Sequence, residues 1–115
     1  MKDKKLLIDM IRTYKTYYYD WMGFPIRSNN PLTFHHIIEK VNGGEEEWEN
    51  GALITVKGHW LLNRAQEYNP QLYEEYNYWF QTINESKCPI GEEIKEIMKA
   101  LRKRLNGVTN KKHTK

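Results

Sequence analysis

Apolar side chains recur at helical spacing along most of the chain. The stripe nearest the N-terminus predicts an amphipathic helix over about residues 4–21, and it consists of Leu7, Ile11, Tyr14, Tyr18 and Trp21. Helical patterns return at 58–68, 72–83 and 90–105, with breaks at Asn69-Pro70 and Lys87-Cys88-Pro89. We therefore expect four helices, and their apolar stripes form most of the core.

The middle of the chain has a different pattern. Residues 32–38 and 52–56 are rich in β-branched and other apolar residues and predict two strands, joined by a loop that ends at Asn50-Gly51. The helix expected from residue 58 follows the second strand directly. The predicted fold class is α+β: an N-terminal helix, a β-loop-β-helix centre over about residues 32–68, and two C-terminal helices.

Length and composition narrow the class of protein. The chain has 115 residues, which suits a single domain, and its 13% aromatic content indicates a folded one. No apolar run approaches the roughly 20 residues of a membrane span, and no signal-peptide core develops, so we expect a cytoplasmic protein without membrane contact. One cysteine, Cys88, excludes an internal disulfide and a paired-cysteine zinc knuckle.

Charge is distributed unevenly. The chain has 18 Lys and Arg against 15 Asp and Glu, but the stretch from Lys99 to Lys115 contains seven basic residues and no acid. This asymmetry favours a polyanionic partner, although a solvated helix end and a frayed tail would show the same pattern. Asn106-Gly107 predicts the end of the last helix. We expect one domain over 1–107 and a disordered basic tail over 108–115.

One group of side chains has the spacing of a reactive site: His35, His36, Asn50, His59 and Asn63. His59 and Asn63 are four residues apart in a predicted helix, so both lie on one face and can serve one ion. Imidazole nitrogen and amide oxygen suit several divalent ions. Asn50 precedes a glycine at the end of the loop and is placed to bond loop backbone groups.

This ordered set resembles the HNH endonuclease family, whose active site is a ββα-metal fold. Asn50 lies fourteen residues after His36, and His59 lies nine residues beyond Asn50. The resemblance implies that His36 is the general base, that Asn50 fixes the loop, and that His35, His59 and Asn63 are metal ligands. The chain departs from many members in having His35 where they have Asp, and in lacking the cysteine pairs that staple some HNH domains.

The implied function is metal-dependent hydrolysis or nicking of DNA, most simply duplex DNA. The expected cofactor is one divalent ion, Mg²⁺ or Mn²⁺ first and Zn²⁺ or Ni²⁺ as alternatives. Small HNH proteins of this kind resemble those of phages and mobile elements. The resemblance suggests that the protein acts in a bacterial or phage-infected cell and that it has a targeting or packaging partner protein. The candidate phosphate contacts are Lys57, Arg64, Arg102, Lys103 and Arg104.

Other interpretations of these residues stay open. Neighbouring strand residues point to opposite faces, so His35 and His36 reach one cleft only at a strand end or bulge. A catalytically inactive HNH-fold module that binds DNA or protein is the main alternative, and a toxin-like nuclease with an immunity partner is a third. Tyr17, Tyr18 and Tyr19 suit stacking on bases, but we expect alternate rings to pack in the core.

Overall fold

The computed structural model describes residues 4–113, with side chains as far as residue 108. The α+β architecture predicted from the sequence is confirmed, with four helices and a two-stranded antiparallel sheet. None of the described helices is long and apolar enough to cross a membrane. The elements in chain order are α1 (Lys4–Tyr14), β1 (Leu32–His36), β2 (Gly51–Thr55), α2 (Val56–Tyr68), α3 (Pro70–Ser86) and α4 (Glu92–His113).

The sheet and α2 form one continuous ββα unit. In the antiparallel register Leu32 pairs with Thr55 and His36 pairs with Gly51. Strand β2 passes directly into α2, because the Thr55 hydroxyl caps the helix by accepting the N–H of Gly58 at 3.1 Å. The chain between the strands includes two one-turn 3₁₀ helices, Lys40–Asn42 and Trp48–Asn50. The pairing of β2 with β1 and the direct passage of β2 into α2 together fix the position of α2 relative to β1.

Helix α1 is shorter than the apolar spacing predicted. It ends at Tyr14, since Lys15 adopts a left-handed conformation with φ of 52° and the N–H of Thr16 donates to the Ile11 carbonyl at 3.0 Å. Trp21 still packs in the core, but from a loop. The expectation that alternate rings of Tyr17, Tyr18 and Tyr19 pack in the core is wrong, because all three are exposed.

Helix α4 is longer than predicted. It passes Asn106-Gly107 and continues to His113, so residues 108–113 are helical where we expected a disordered tail. A glycine inside a helix costs about 1 kcal/mol, and burial of the Val108 side chain against the core offsets that cost. Residues 114 and 115 of the expected tail lie outside the described residues.

Two buried polar side chains hold the ββα unit to the rest of the chain. Asp20 accepts the backbone N–H groups of Met22, Phe24 and Thr55 at 2.7 to 2.9 Å and also the Thr55 hydroxyl at 2.8 Å. Asn84 of α3 donates to the carbonyls of Trp48 and Gly51 at 2.6 and 2.7 Å. The start of α2 and the start of β2 are therefore anchored independently of each other.

Candidate metal centre and nuclease site

His35 is held in one tautomer by a residue of α3. Its side chain faces the core, with 3% of the residue exposed. Its Nε2 lies 2.8 Å from Asn77 Oδ1, which can only accept, so Nε2 carries the proton and the neutral ring keeps its lone pair on Nδ1. Burial lowers the pKa of His35 from 6.5 to about 4, so the ring is neutral at pH 7.

His59 is held in one tautomer by a residue of β1. The Thr33 hydroxyl donates its proton to the Ile54 carbonyl at 2.8 Å, and its oxygen lies 3.2 Å from His59 Nδ1. The oxygen therefore accepts from Nδ1, which leaves the lone pair of the neutral ring on Nε2. Burial lowers the pKa of His59, and an electrostatic interaction with His36 lowers it further. His59 is thus a second neutral imidazole with a defined lone pair.

The rings of His35 and His59 pack against each other edge to face, with centroids 5.3 Å apart. Two imidazoles that share one ion have a similar separation, because each metal–nitrogen bond is about 2.1 Å long. Histidine ligands of metals almost always donate their other ring N–H to an oxygen. Both rings do so here, to Asn77 and to Thr33. The donor chemistry therefore fits one divalent ion.

Asn63 lies on α2, one turn after His59, and is exposed. Among the residues described, no group of three or more His, Cys, Asp or Glu side chains is placed to hold a metal ion. The set expected from the sequence contains only two residues of those types and takes an amide oxygen from Asn63 as its third donor. A site of this composition leaves the full charge of the ion available to a phosphate.

His36 points away from His35, as strand alternation requires. It packs edge to face against Phe34 on its own side of β1, with ring centroids 5.0 Å apart. It is also the last residue of β1 and is close enough to lower the pKa of both His35 and His59 electrostatically. His36 is thus near enough to act electrostatically on both rings although it faces the other side of β1, and we call these three residues the imidazole cluster.

The Nε2 atom of His36 is buried without a hydrogen-bond partner among the described residues. Burial lowers the pKa of His36, and nearby Lys40 lowers it further, while Glu46 acts in the opposite direction. The ring is therefore neutral at pH 7. A neutral imidazole keeps a lone pair on one ring nitrogen and is able to accept a proton there.

Asn50 joins the two ends of the loop between the strands. Its Oδ1 accepts the N–H of Ile38 at 2.7 Å, and its Nδ2 donates to the carbonyls of Ile38 and Glu45 at 2.9 and 3.0 Å. Gly44 permits this closure, because a Cβ at that position would overlap the Ile38 carbonyl. These are bonds to loop backbone of the kind expected for Asn50, and they begin two residues after His36.

The five candidate phosphate contacts have different surroundings. Arg64 stacks between the rings of Trp60 and Tyr68, 5.0 and 5.2 Å from their centroids, and lies one residue after Asn63. Lys57 lies 5.5 Å from the centre of the Phe24 ring. Arg102 donates to the Met22 carbonyl at 2.6 Å, Arg104 pairs with Glu75 at 2.7 Å, and Lys103 is exposed. Lys57 and Arg64, both on α2, share a helix with His59.

Two residues that orient the imidazoles were missed in the sequence. Thr33 and Asn77 each bind the outer nitrogen of one ring. Asn77 is a polar residue beside Tyr76 in the apolar pattern of α3, a signal that is too common to identify it. Its partner His35 lies 42 residues away, a separation that no local pattern reports.

One comparison with known proteins gave a match. Residues 23–57 match the family model described as HNH endonuclease. The matched segment includes His35, His36 and Asn50, and it ends two residues before His59. No curated protein and no solved structure matches the chain.

Proposed function

We propose, from the premise that residues 23–57 carry the HNH endonuclease family pattern, that this protein is a metal-dependent endonuclease that hydrolyses or nicks DNA. The observation that carries the proposal is the imidazole cluster, in which the neutral rings of His35 and His59 are 5.3 Å apart and His36 acts electrostatically on both. We place its action on duplex DNA in the cytoplasm of a bacterial or phage-infected cell.

Nδ1 of His35, Nε2 of His59 and the side-chain oxygen of Asn63 would hold one divalent ion, Mg²⁺ or Mn²⁺ first and Zn²⁺ or Ni²⁺ as alternatives. When bound, the ion supplies positive charge that offsets the charge developing on the phosphate and the leaving oxygen. Asn77 and Thr33 keep the two rings oriented, so the lone pairs need little rearrangement on binding.

His36 acts as the general base. Its neutral ring takes a proton from the water that attacks phosphorus, and its lowered pKa keeps it neutral at physiological pH. Asn50 holds the loop that follows His36, so the position of the base depends on three bonds to backbone groups. His36 is the last residue of β1. At that position its ring can reach the rest of the imidazole cluster, although strand alternation turns it to the opposite face from His35.

Contacts to the DNA backbone come from α2 and α4. Arg64 and Lys57 lie on the helix that carries His59, and Lys103 is exposed on α4. Such contacts add affinity with little preference for sequence, since phosphates are alike along the duplex. Selection of a site would then come from a targeting or packaging partner protein.

A non-catalytic HNH-fold module that binds DNA or protein is the second candidate. It is favoured by one observation: His35 and His36 lie on opposite faces of β1, with His35 almost fully buried. In that case the imidazole cluster contributes to packing alone, and neither metal binding nor cleavage follows.

The test is incubation of supercoiled plasmid with purified protein in Mg²⁺, in Mn²⁺ and in EDTA. The proposal predicts conversion to nicked or linear plasmid with either metal and none in EDTA. Intact plasmid under all three conditions, with binding retained in a gel-shift assay, would support the non-catalytic module. Cleavage that persists in EDTA would contradict metal dependence.

A further inference from the structure

Three consecutive tyrosines between α1 and β1 are exposed to solvent. Tyr17, Tyr18 and Tyr19 are 52%, 79% and 64% exposed. Neighbouring exposed rings in a folded domain mark an interaction surface, because their apolar area is otherwise left in water. None of these rings belongs to the imidazole cluster.

The backbone that carries these rings is ordered. The Tyr18 carbonyl accepts the N–H of Ile26 at 2.9 Å, and the N–H of Asp20 donates to the Phe24 carbonyl at 2.8 Å. Tyr19 forms an isolated antiparallel bridge with Pro25. The rings are therefore displayed from a fixed segment, and binding a ligand to them costs little ordering of the chain.

Two of the three tyrosines line a cavity of about 500 Å³ between this segment and α4. Tyr18 and Tyr19 are on its wall, Trp21 is at its base, and Tyr17 is not among its lining residues. The volume lies in the range of small-ligand pockets, roughly 300 to 1,000 Å³, and it admits one nucleotide. Trp21 packs on Phe80, and Phe80 packs on His35, so a layer of rings separates the cavity from the imidazole cluster.

The wall of the cavity is positively charged. Lys15, Lys95 and Arg102 contribute to it. Lys95 pairs with Glu92 at 3.3 Å, but both side chains are exposed and such a pair contributes little. Arg102 donates one N–H to the Met22 carbonyl. Its guanidinium lies over Gly23, where a Cβ would overlap it. Because a guanidinium has five N–H donors, this bond uses only one of them.

The one acidic side chain on the wall is Asp20. It is buried, and its two oxygens already accept four hydrogen bonds from the protein. The cavity therefore combines exposed rings with available positive charge, which is the chemistry of a site for single-stranded nucleic acid.

We propose that this cavity binds single-stranded DNA, with a base stacked on Tyr18 or Tyr19 and the adjoining phosphate near Lys95 and Arg102. Paired bases in a duplex present no free face, so side-by-side exposed rings suit an unpaired strand. The inference rests on the proposed function only for the choice of DNA as ligand. It adds a second contact, remote from the cleavage site, for a strand that is unpaired before or after nicking.

The experiment is fluorescence anisotropy of a labelled oligothymidylate in EDTA, where no metal-dependent cleavage occurs. Loss of a stacked base corresponds to a factor of about 5 to 150 in affinity. We expect that loss for the double variant Tyr18→Ala/Tyr19→Ala, and a change below about twofold for Tyr17→Ala, the matched control outside the cavity. The double variant Tyr18→Phe/Tyr19→Phe keeps both rings and should bind within about threefold of the parent protein.

The phosphate contact has its own readout. Lys95→Ala should lower the salt dependence of oligothymidylate binding by about 0.7 in the slope of log K against log salt, the value for one phosphate on a single strand. Lys5→Ala, an exposed residue of α1 that pairs with Asp9 at 3.2 Å and does not line the cavity, should leave binding in this assay unchanged within about twofold. Melting temperatures of all variants confirm that they are folded.

Two results would overturn the inference. One is a double alanine variant that binds oligothymidylate as tightly as Tyr17→Ala does. That result would indicate that the cavity binds a protein segment instead. The other is an equal loss of affinity for a covalently closed duplex circle, since its paired bases cannot stack on tyrosine. Plasmid cleavage without oligothymidylate binding would refute this inference alone, whereas tyrosine-dependent binding without cleavage would refute the proposed endonuclease activity alone.

Discussion

Burial of the neutral His35 ring predicts a specific pH dependence of the free energy of unfolding. The pKa of His35 falls from its ordinary 6.5 to about 4 in the folded protein. Between these two values the unfolded chain binds a proton that the folded protein does not. The stabilisation is therefore fully present above pH 6.5 and is lost as the pH falls toward 4.

The shift also sets the magnitude. A difference of one pKa unit is equivalent to 1.36 kcal/mol, so the full effect is about 3 kcal/mol, of which about 2 kcal/mol is lost between pH 7 and pH 5. The residue is almost fully buried, so solvent screening removes little of this energy. In a small domain that amount is a large fraction of the total stability.

The assay is urea unfolding at pH 7 and pH 5 in EDTA, for the parent protein and for His35→Gln. The variant cannot titrate, and its side-chain amide retains a donor for Asn77 Oδ1. The parent protein should lose about 2 kcal/mol more than the variant on going from pH 7 to pH 5. If the two lose equal stability, within about 0.5 kcal/mol, His35 is not a buried neutral imidazole and its assigned tautomer has no basis.

Four further perturbations test the site and its surroundings. Thr33→Val removes the oxygen that orients His59 and should weaken Mn²⁺ binding, measured by calorimetry, about 10- to 100-fold. His59→Ala should abolish Mn²⁺ binding, and unchanged affinity in that variant would show that the ligand assignment is wrong. Asn50→Ala leaves buried backbone groups of the loop unsatisfied and should cost about 1 to 3 kcal/mol by urea unfolding, and a cost below 0.5 kcal/mol would contradict the role of Asn50 in holding the loop. Removal of residues 109–115, which include Lys111, Lys112 and Lys115, should lower the salt dependence of duplex binding by about 1 to 3 in slope; an unchanged slope would exclude these residues from the DNA contact.

The parts of the fold that could be predicted depend on local periodicity. The two strands, the helix that follows β2 and the break at Asn69-Pro70 all lie within two residues of their predicted positions. The spacing of His36, Asn50 and His59 predicted a resemblance to the HNH endonuclease family, and the match over residues 23–57, which includes His36 and Asn50, confirms that resemblance. Each of these features is set by residues close together in the chain.

The features that the sequence did not reveal depend on contacts between distant residues. The bond between His35 and Asn77 joins β1 to α3, and it settles the tautomer of a proposed ligand. Helix α1 ends at Tyr14 because Lys15 adopts the left-handed conformation, and since lysine has no preference for that conformation no terminating signal was visible. Helix α4 continues past Gly107 because Val108 packs against the core, a tertiary effect that overrides the glycine.

The most direct test of the endonuclease account is single-turnover cleavage of plasmid by His36→Ala at saturating Mg²⁺ and protein. A general base contributes about 10²- to 10⁴-fold, so the variant should cut slower by that factor while its melting temperature and Mn²⁺ affinity stay close to those of the parent protein. His36 contacts Phe34 but forms no hydrogen bond among the described residues that its removal would break. A folded, metal-binding His36→Ala variant that cuts plasmid at the parent rate would contradict the assignment of His36 as the base.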